Sequence, residues 1–142
     1  MESKASAIWK GGLKDGSGTI SNESGVLTDT AYTFAGRFEN AGGTNPEELI
    51  ASAHAGCFSM ALSAQLGEAD LTPEHVSTTA TTTLEDGTVT KIHLEVTAKV
   101  PGADQAAFDT AANNAKNGCP ISKLMNAEIS MNAVLELSLI HI

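Results

Sequence analysis

The chain has 142 residues, with 17 acidic against 8 basic side chains and a net charge of −9. A chain of this length buries about 68–70% of its unfolded surface, so one domain over residues 1–142 needs no disulfide or metal to fold. The basic residues form no cluster, which argues against a nucleic-acid-binding protein. The sequence shows neither a signal-peptide core nor an uninterrupted apolar run of membrane-spanning length, so we expect a cytoplasmic protein with no membrane partner.

The first part of the chain predicts three β-strands. Residues 4–10, 16–22 and 28–38 combine alternating, β-branched or aromatic residues with glycine-containing turns between them. Strands that follow one another through short connections favour an antiparallel meander. Trp9, the only tryptophan, is assigned to packing on the core face of this sheet.

A nearly uncharged helix is predicted over residues 46–66. Asn45 is a favourable N-cap, and it is followed by a proline at the first helical position and by Glu48, whose carboxylate can reach back to the amide of the cap. Beyond this first turn the only ionisable side chains are His54 and Cys57. Because a helix that is apolar nearly all round has no face suited to water, this helix is predicted to be buried.

The second half of the chain predicts a hairpin, two helices and a last strand. The segments are 76–84 and 88–100 for the hairpin, 104–117 and 121–125 for the helices, and 127–137 for the strand. The apolar pattern continues through residues 139–142 without a polar ending. Together these elements predict an α+β fold with antiparallel sheets and a central buried helix.

Cys119 lies between the two helices of this half and directly precedes Pro120. Proline suits the first helical position and pushes the residue before it toward an extended conformation, so Cys119 is the predicted N-cap of the second helix. A cysteine at a helix N-terminus is expected to be partly exposed and to be favoured as a thiolate.

Cys57 lies about three turns inside the central helix, where the helix dipole contributes little and apolar burial raises the pKa of a thiol. A nucleophilic Cys57 would therefore need a cation beside it. Seven of the 8 basic residues are lysine, and the single arginine is Arg37, between Phe34 and Phe38. Arg37 is the candidate for a fixed, partly buried positive charge.

The two cysteines are 62 residues apart (119 − 57) and lack the C-x-x-C spacing of a redox motif or a zinc knuckle. Three interpretations stay open on the residues alone. Both cysteines are inert core residues of a non-catalytic ligand-binding or structural domain, or His54 and Cys57 share a metal ion, or one cysteine is a nucleophile and the other its resolving partner.

Several motifs resemble the OsmC family of osmotically inducible peroxidases. They are GTNPEELI at 43–50, AHAGCFSM at 53–60, TISNESGVL at 19–27 and GCP at 118–120. The resemblance covers nearly the whole chain. Ala53 and His54 are more similar to the OsmC branch than to the organic hydroperoxide resistance proteins, and the short turn at 85–87 departs from the family pattern.

The resemblance implies a thiol peroxidase with Cys57 as the peroxidatic thiol and Cys119 as the resolving thiol. Arg37 and Glu47 match the family's charged partners of the peroxidatic thiol. Arginine is always charged and can hydrogen-bond both a thiolate and a peroxide oxygen, and Glu47 is placed to hold the guanidinium. His54 is left out of the catalytic set as a satisfied helix histidine.

The resemblance further implies no bound cofactor or metal, an external dithiol reductant such as a lipoyl protein, and an intertwined homodimer. An organic hydroperoxide is expected to be a better substrate than hydrogen peroxide, because apolar residues surround the predicted site in the sequence. These residues are Phe34, Phe38, Phe58 and Met60. For Phe58 and Met60, packing in the core is favoured over lining a pocket.

Overall fold

A computed structural model describes residues 1–137. The chain divides into two compact units, Met1–Leu49 and a second that begins at Ile50. The predicted apolar tail at 139–142 lies outside the described residues, and one domain over 1–142 stays a prediction. The elements are β1 (Ala5–Lys10), β2 (Ser17–Asn22), β3 (Thr30–Tyr32), α1 (Phe34–Phe38), α2 (Pro46–Glu68), β4 (His75–Glu85), β5 (Thr88–Lys99), α3 (Gln105–Gly118), α4 (Pro120–Leu124) and β6 (Glu128–Leu135).

The first unit contains the antiparallel sheet β1-β2-β3, the predicted meander. The third predicted strand is too long, because β3 ends at Tyr32 and the short helix α1 follows it. Thr33 caps α1, and its side chain accepts a hydrogen bond from the amide of Gly36 at 2.9 Å. The cap satisfies an amide of the first helical turn that would otherwise have no partner within the helix. The chain therefore continues after Thr33 as a helix and not as a strand, and Arg37 lies on this helix. Half-buried Trp9 packs on Tyr32, with ring centroids 5.3 Å apart.

Helix α2 begins as predicted, with the Asn45 side chain accepting from the amide of Glu48 at 2.8 Å. The expectation of burial on all sides is wrong within the described chain. One row of residues is buried: His54, Phe58, Leu62 and Leu66. The opposite side is exposed, with Met60 at 77%, because a three-stranded sheet can cover only one face of a helix.

By length and composition alone, α2 is long and apolar enough to cross a membrane, contrary to the sequence-based expectation. Core helices of globular domains have the same length and composition. The buried row of α2 packs with the inner face of β5 in one hydrophobic core.

The second unit contains the sheet β4-β5-β6. Strands β4 and β5 form the predicted antiparallel hairpin, which turns at Asp86 and Gly87, both with positive φ. Strand β6 pairs with β5 in parallel, so the expectation of wholly antiparallel sheets is wrong here. Helices α3 and α4 lie between these two strands in the chain, and a crossover of this length returns the next strand in the same direction.

The core of the second unit consists of the inner face of β5, the buried row of α2 and one face of α3. The buried members are Phe58, Leu62, Leu66, Ile92, Leu94, Val96, Ala98, Val100, Phe108, Ala111, Ala112 and Ala115. The alternation predicted for the second hairpin strand is therefore confirmed, and this core packs beside the segments that carry both cysteines.

Candidate active site

Both cysteines lie in the second unit, near enough that each side chain shifts the pKa of the other. Their burial is the reverse of the sequence-based expectation: Cys57 on α2 is half-buried, whereas Cys119 is 1% exposed. Cys119 ends α3, with its amide donating to the Ala115 carbonyl at 2.9 Å, and its side chain caps α4. This double role turns the sulfur inward.

Cys119 is surrounded by hydrogen-bond donors. Its sulfur accepts from the amide of Ser122 at 3.4 Å and from the Ser122 hydroxyl at 3.5 Å. Burial opposes ionisation, but the bonds from Ser122, from the Cys57 thiol and from the backbone of Ile121 together lower the pKa of Cys119 below its ordinary value. The structure thus supports the predicted thiolate at this helix N-terminus, but in a buried position.

Burial raises the pKa of the Cys57 thiol, and the hydrogen bond from the Ile121 backbone only partly opposes it. The neighbouring Cys119 sulfur raises the pKa of Cys57 further, because negative charge on one sulfur disfavours a second charge beside it. In the reduced pair ionisation is therefore easier for Cys119 than for Cys57.

His54 lies one turn before Cys57 and is 0% exposed. Its Nε2 is 2.7 Å from the hydroxyl oxygen of Ser122, and its Nδ1 has no hydrogen-bond partner among residues 1–137. Burial lowers the pKa of His54, which keeps the imidazole neutral. Sequence reasoning missed Ser122, although it stands three residues after the capping Cys119, the spacing at which a cap meets its partner.

In the first unit, Arg37 and Glu47 form an ion pair held by two hydrogen bonds at 2.9 and 2.8 Å. Glu47 holds the guanidinium as the sequence led us to expect, and the Arg37 side chain is 36% exposed. The hydrogen bond to Glu47 raises the pKa of Arg37 against the opposing effect of burial. The guanidinium also stacks on Phe38, 5.2 Å from the ring centroid. The catalytic role of this pair stays a prediction.

A largely apolar pocket of about 230 Å³ adjoins Arg37 within the first unit. Its lining residues are Trp9, Leu13, Tyr32, Thr33, Phe34, Arg37 and Phe38. Of the other aromatic and methionine residues named from the sequence, Phe58 is in the core as expected. Met60 is not, because it lies on the exposed side of α2.

No group of three or more His, Cys, Asp or Glu side chains within residues 1–137 is arranged to hold a metal ion. The metal interpretation of His54 and Cys57 therefore gains no third ligand from these residues.

Comparison with known proteins agrees with the motifs. The model of the family described as OsmC-like protein matches residues 39–133. The chain is 48% identical to the Peroxiredoxin OsmC of Escherichia coli K12 over 140 residues, which cover 96% of this chain and 98% of that protein. It is 33% identical to an Organic hydroperoxide resistance protein-like protein of Mycoplasma pneumoniae over 111 residues, 72% of this chain and 79% of that protein.

The fold is also that of solved structures in this group. The crystal structure of an OsmC like protein from Mycoplasma pneumoniae matches with a TM-score of 0.74 at 16% identity, covering 96% of this chain and 99% of that chain. The mixed α+β architecture with two small sheets agrees with this match. On the family model and the full-length identity, this chain belongs to the OsmC-like protein family.

Proposed function

We propose that this chain is a cysteine-based peroxidase that reduces organic hydroperoxides, and hydrogen peroxide less well, through a disulfide cycle between Cys57 and Cys119. The observation that carries the proposal is that these two thiols, distant in sequence, lie near enough in the fold for each to shift the pKa of the other. The name Peroxiredoxin OsmC borne by the Escherichia coli relative supports the same reaction class.

In the first step the Cys57 sulfur attacks the distal oxygen of the hydroperoxide. The oxygen–oxygen bond breaks, Cys57 becomes a sulfenic acid, and the proton of its thiol ends on the departing alkoxide, which leaves as an alcohol.

In the second step Cys119 attacks the sulfenic sulfur and forms the disulfide. The two thiols already lie near each other in the reduced chain, which favours a second step without large rearrangement. An external dithiol then reduces the disulfide by thiol–disulfide exchange and closes the cycle without a bound cofactor. A lipoyl group on a partner protein fits this chemical class.

Arg37 is assigned to stabilise negative charge on the Cys57 sulfur and on the departing oxygen, with Glu47 as the residue that orients it. The guanidinium suits this role because it stays charged at any accessible pH and presents several donors in one plane. Its two-point pairing with Glu47 leaves other N–H groups of the guanidinium for substrate.

Organic hydroperoxides are the preferred substrates in this proposal. The pocket beside Arg37 is lined mainly by aromatic rings and Leu13, which would hold a hydrocarbon group and offer little to hydrogen peroxide. Cumene hydroperoxide compared with hydrogen peroxide on the purified protein tests this point. Equal efficiencies would contradict an apolar substrate site.

A homodimer completes the proposal. The exposed side of α2 is apolar or small, and a second copy of the chain is the occupant that the family resemblance implies. The exposed residues on this side are Ser52, Ala53, Gly56, Met60, Ser63, Ala64 and Gly67.

The deciding experiment counts thiols after one equivalent of organic hydroperoxide. The wild-type chain should lose both thiols and form one intramolecular disulfide. Cys57→Ser should consume no peroxide, whereas Cys119→Ser should turn over once and leave a sulfenic acid that dimedone traps. Two unreacted thiols in the folded wild type would instead favour the non-catalytic ligand-binding domain.

A further inference from the structure

The proposed peroxidase cycle leaves one buried ionisable side chain without a role. His54 is fully buried on α2, and its only hydrogen bond among the described residues is to Ser122, which in turn contacts Cys119. We propose that His54 is a positioning residue for the second step: acting through Ser122, it holds the Cys119 sulfur as a thiolate directed at Cys57. This inference rests on the proposed function and deepens it.

The surroundings of His54 select one tautomer. Nδ1 is buried without a partner, and Nε2 is 2.7 Å from the Ser122 oxygen. A buried N–H without an acceptor costs more free energy than an unpaired acceptor atom, so the proton belongs on Nε2. His54 therefore donates to the hydroxyl oxygen of Ser122.

That donation fixes the direction of the Ser122 hydroxyl. With one lone pair of its oxygen occupied by His54, the hydroxyl hydrogen is free to point at the Cys119 sulfur 3.5 Å away. The amide of Ser122 donates to the same sulfur at 3.4 Å. The result is a directional chain of hydrogen bonds from His54 through Ser122 to Cys119, and donors to a sulfur stabilise its ionised form.

The other groups that face Cys119 are few. Cys57 from α2 and the backbone of Ile121 from α4 are near enough to lower the pKa of Cys119 as well. The charged side chains on α3 and α4 are exposed Asp109, half-buried Lys116 and exposed Lys123, and the described structure gives none of them a hydrogen bond to Cys119. The thiolate is thus held by neutral donors, of which Ser122 supplies two.

The hydrogen bonds from His54 through Ser122 to Cys119 serve the formation of the disulfide. The Cys119 thiolate attacks the sulfur of the Cys57 sulfenic acid, the sulfur–sulfur bond forms, and the sulfur–oxygen bond breaks. The Cys119 sulfur is oxidised and the Cys57 sulfur is reduced. Hydroxide leaves with the electron pair and takes a proton from solvent to become water.

The test compares His54→Leu with His54→Gln. Leucine removes the donor, whereas glutamine carries an N–H at nearly the same distance from the backbone as Nε2 of histidine. After one equivalent of cumene hydroperoxide, dimedone trapping follows Cys57 oxidation and thiol counting follows disulfide formation. We expect His54→Leu to oxidise Cys57 at the wild-type rate but to form the disulfide roughly 10-fold more slowly, with His54→Gln within about threefold of wild type.

A second measurement needs no peroxide. In a Cys57→Ser background, the pH midpoint for alkylation of Cys119 should rise by roughly one unit with His54→Leu and with Ser122→Ala, but not with His54→Gln. If His54→Leu fails to fold, the Ser122→Ala variant still tests the proposal, because it removes the same hydroxyl donor to Cys119. If His54 contributed only packing, the pH midpoint for Cys119 alkylation would not differ between the leucine and glutamine variants in this way.

The outcomes separate the two proposals. Unchanged disulfide rates and alkylation midpoints in both His54→Leu and Ser122→Ala, or equal losses for leucine and glutamine, would overturn the role of His54. Failure of the wild-type chain to oxidise Cys57 would overturn the peroxidase function, and the alkylation midpoints would still decide whether His54 controls Cys119.

Discussion

Arg37 and Glu47 are joined by two hydrogen bonds of nearly equal length, Nε to Oε1 at 2.9 Å and Nη2 to Oε2 at 2.8 Å. Two-point pairing of a planar guanidinium with a carboxylate fixes the orientation of the guanidinium as well as its position. The Glu47 side chain is 12% exposed and the Arg37 side chain 36%, so the carboxylate is the more enclosed partner and serves as the anchor.

The first prediction follows from this anchoring. Glu47→Gln should lower kcat/KM for an organic hydroperoxide roughly 10- to 100-fold, because a misoriented guanidinium no longer meets the charge that develops in the transition state. Glu48→Gln, the same change one residue later, is the matched control. Its carboxylate accepts from the Thr44 hydroxyl at 2.9 Å, and near-wild-type activity is expected. Equal losses in the two variants would argue against an orienting role.

Replacement of the arginine itself should have a larger effect. We expect Arg37→Ala to lose about 100-fold or more in kcat/KM, and Arg37→Lys to recover only part of it, because lysine keeps the charge but not the fork of donors. Arg37→Ala should also move the pH profile of Cys57 alkylation to higher pH. A profile that stays in place would contradict stabilisation of the Cys57 thiolate by Arg37.

The coupling of the two sulfurs gives a prediction of opposite sign. The Cys119 sulfur raises the pKa of Cys57, so Cys119→Ser should lower that pKa and make Cys57 alkylate at lower pH than in the wild type. The measurement is iodoacetamide labelling of Cys57 against pH, read by mass spectrometry of the peptide that contains it. A shift to higher pH would mean that the Cys119 sulfur does not raise the pKa of Cys57.

Buried His54 predicts loss of stability in mild acid. Its pKa is lowered in the folded chain by burial, whereas the unfolded value is about 6.5. Below that value the unfolded chain takes up a proton that the folded chain does not. The contribution of His54 is therefore complete above about pH 6.5 and falls with pH by at most about 1.4 kcal/mol per unit until the folded pKa is reached.

Urea unfolding between pH 7.5 and 5 measures this slope. His54→Gln should make this slope shallower than in the wild type. The same slope in both proteins would show that His54 does not set the acid stability.

The exposed side of α2 predicts the assembly state. Light scattering should give the mass of a dimer for the wild type, and Met60→Glu should shift the population toward monomer, because it places a charge where the second copy is expected. Leu124→Glu is the control, since Leu124 is 73% exposed on α4, whereas Met60 is 77% exposed on α2. A monomeric wild type at micromolar concentration would contradict the dimer.

The sequence by itself determined the features that depend on neighbouring residues. The Asn45 cap, the alternation along β5 and the capping position of Cys119 follow from contacts within a few residues, so local patterns predict them correctly. The pairing of Arg37 with Glu47 was also expected before the structure, but that expectation came from the family resemblance and not from a local pattern.

Only the tertiary structure decided which surfaces are covered and which side chains meet. Long-range packing decides that β6 runs parallel to β5 and that α2 is buried on one side only. It also decides that Cys119 is more buried than Cys57. The His54–Ser122 contact joins residues 68 apart in sequence. The physical reason is that a local pattern sets the backbone conformation and the apolar face, whereas burial and pKa depend on neighbours that only the folded chain brings together.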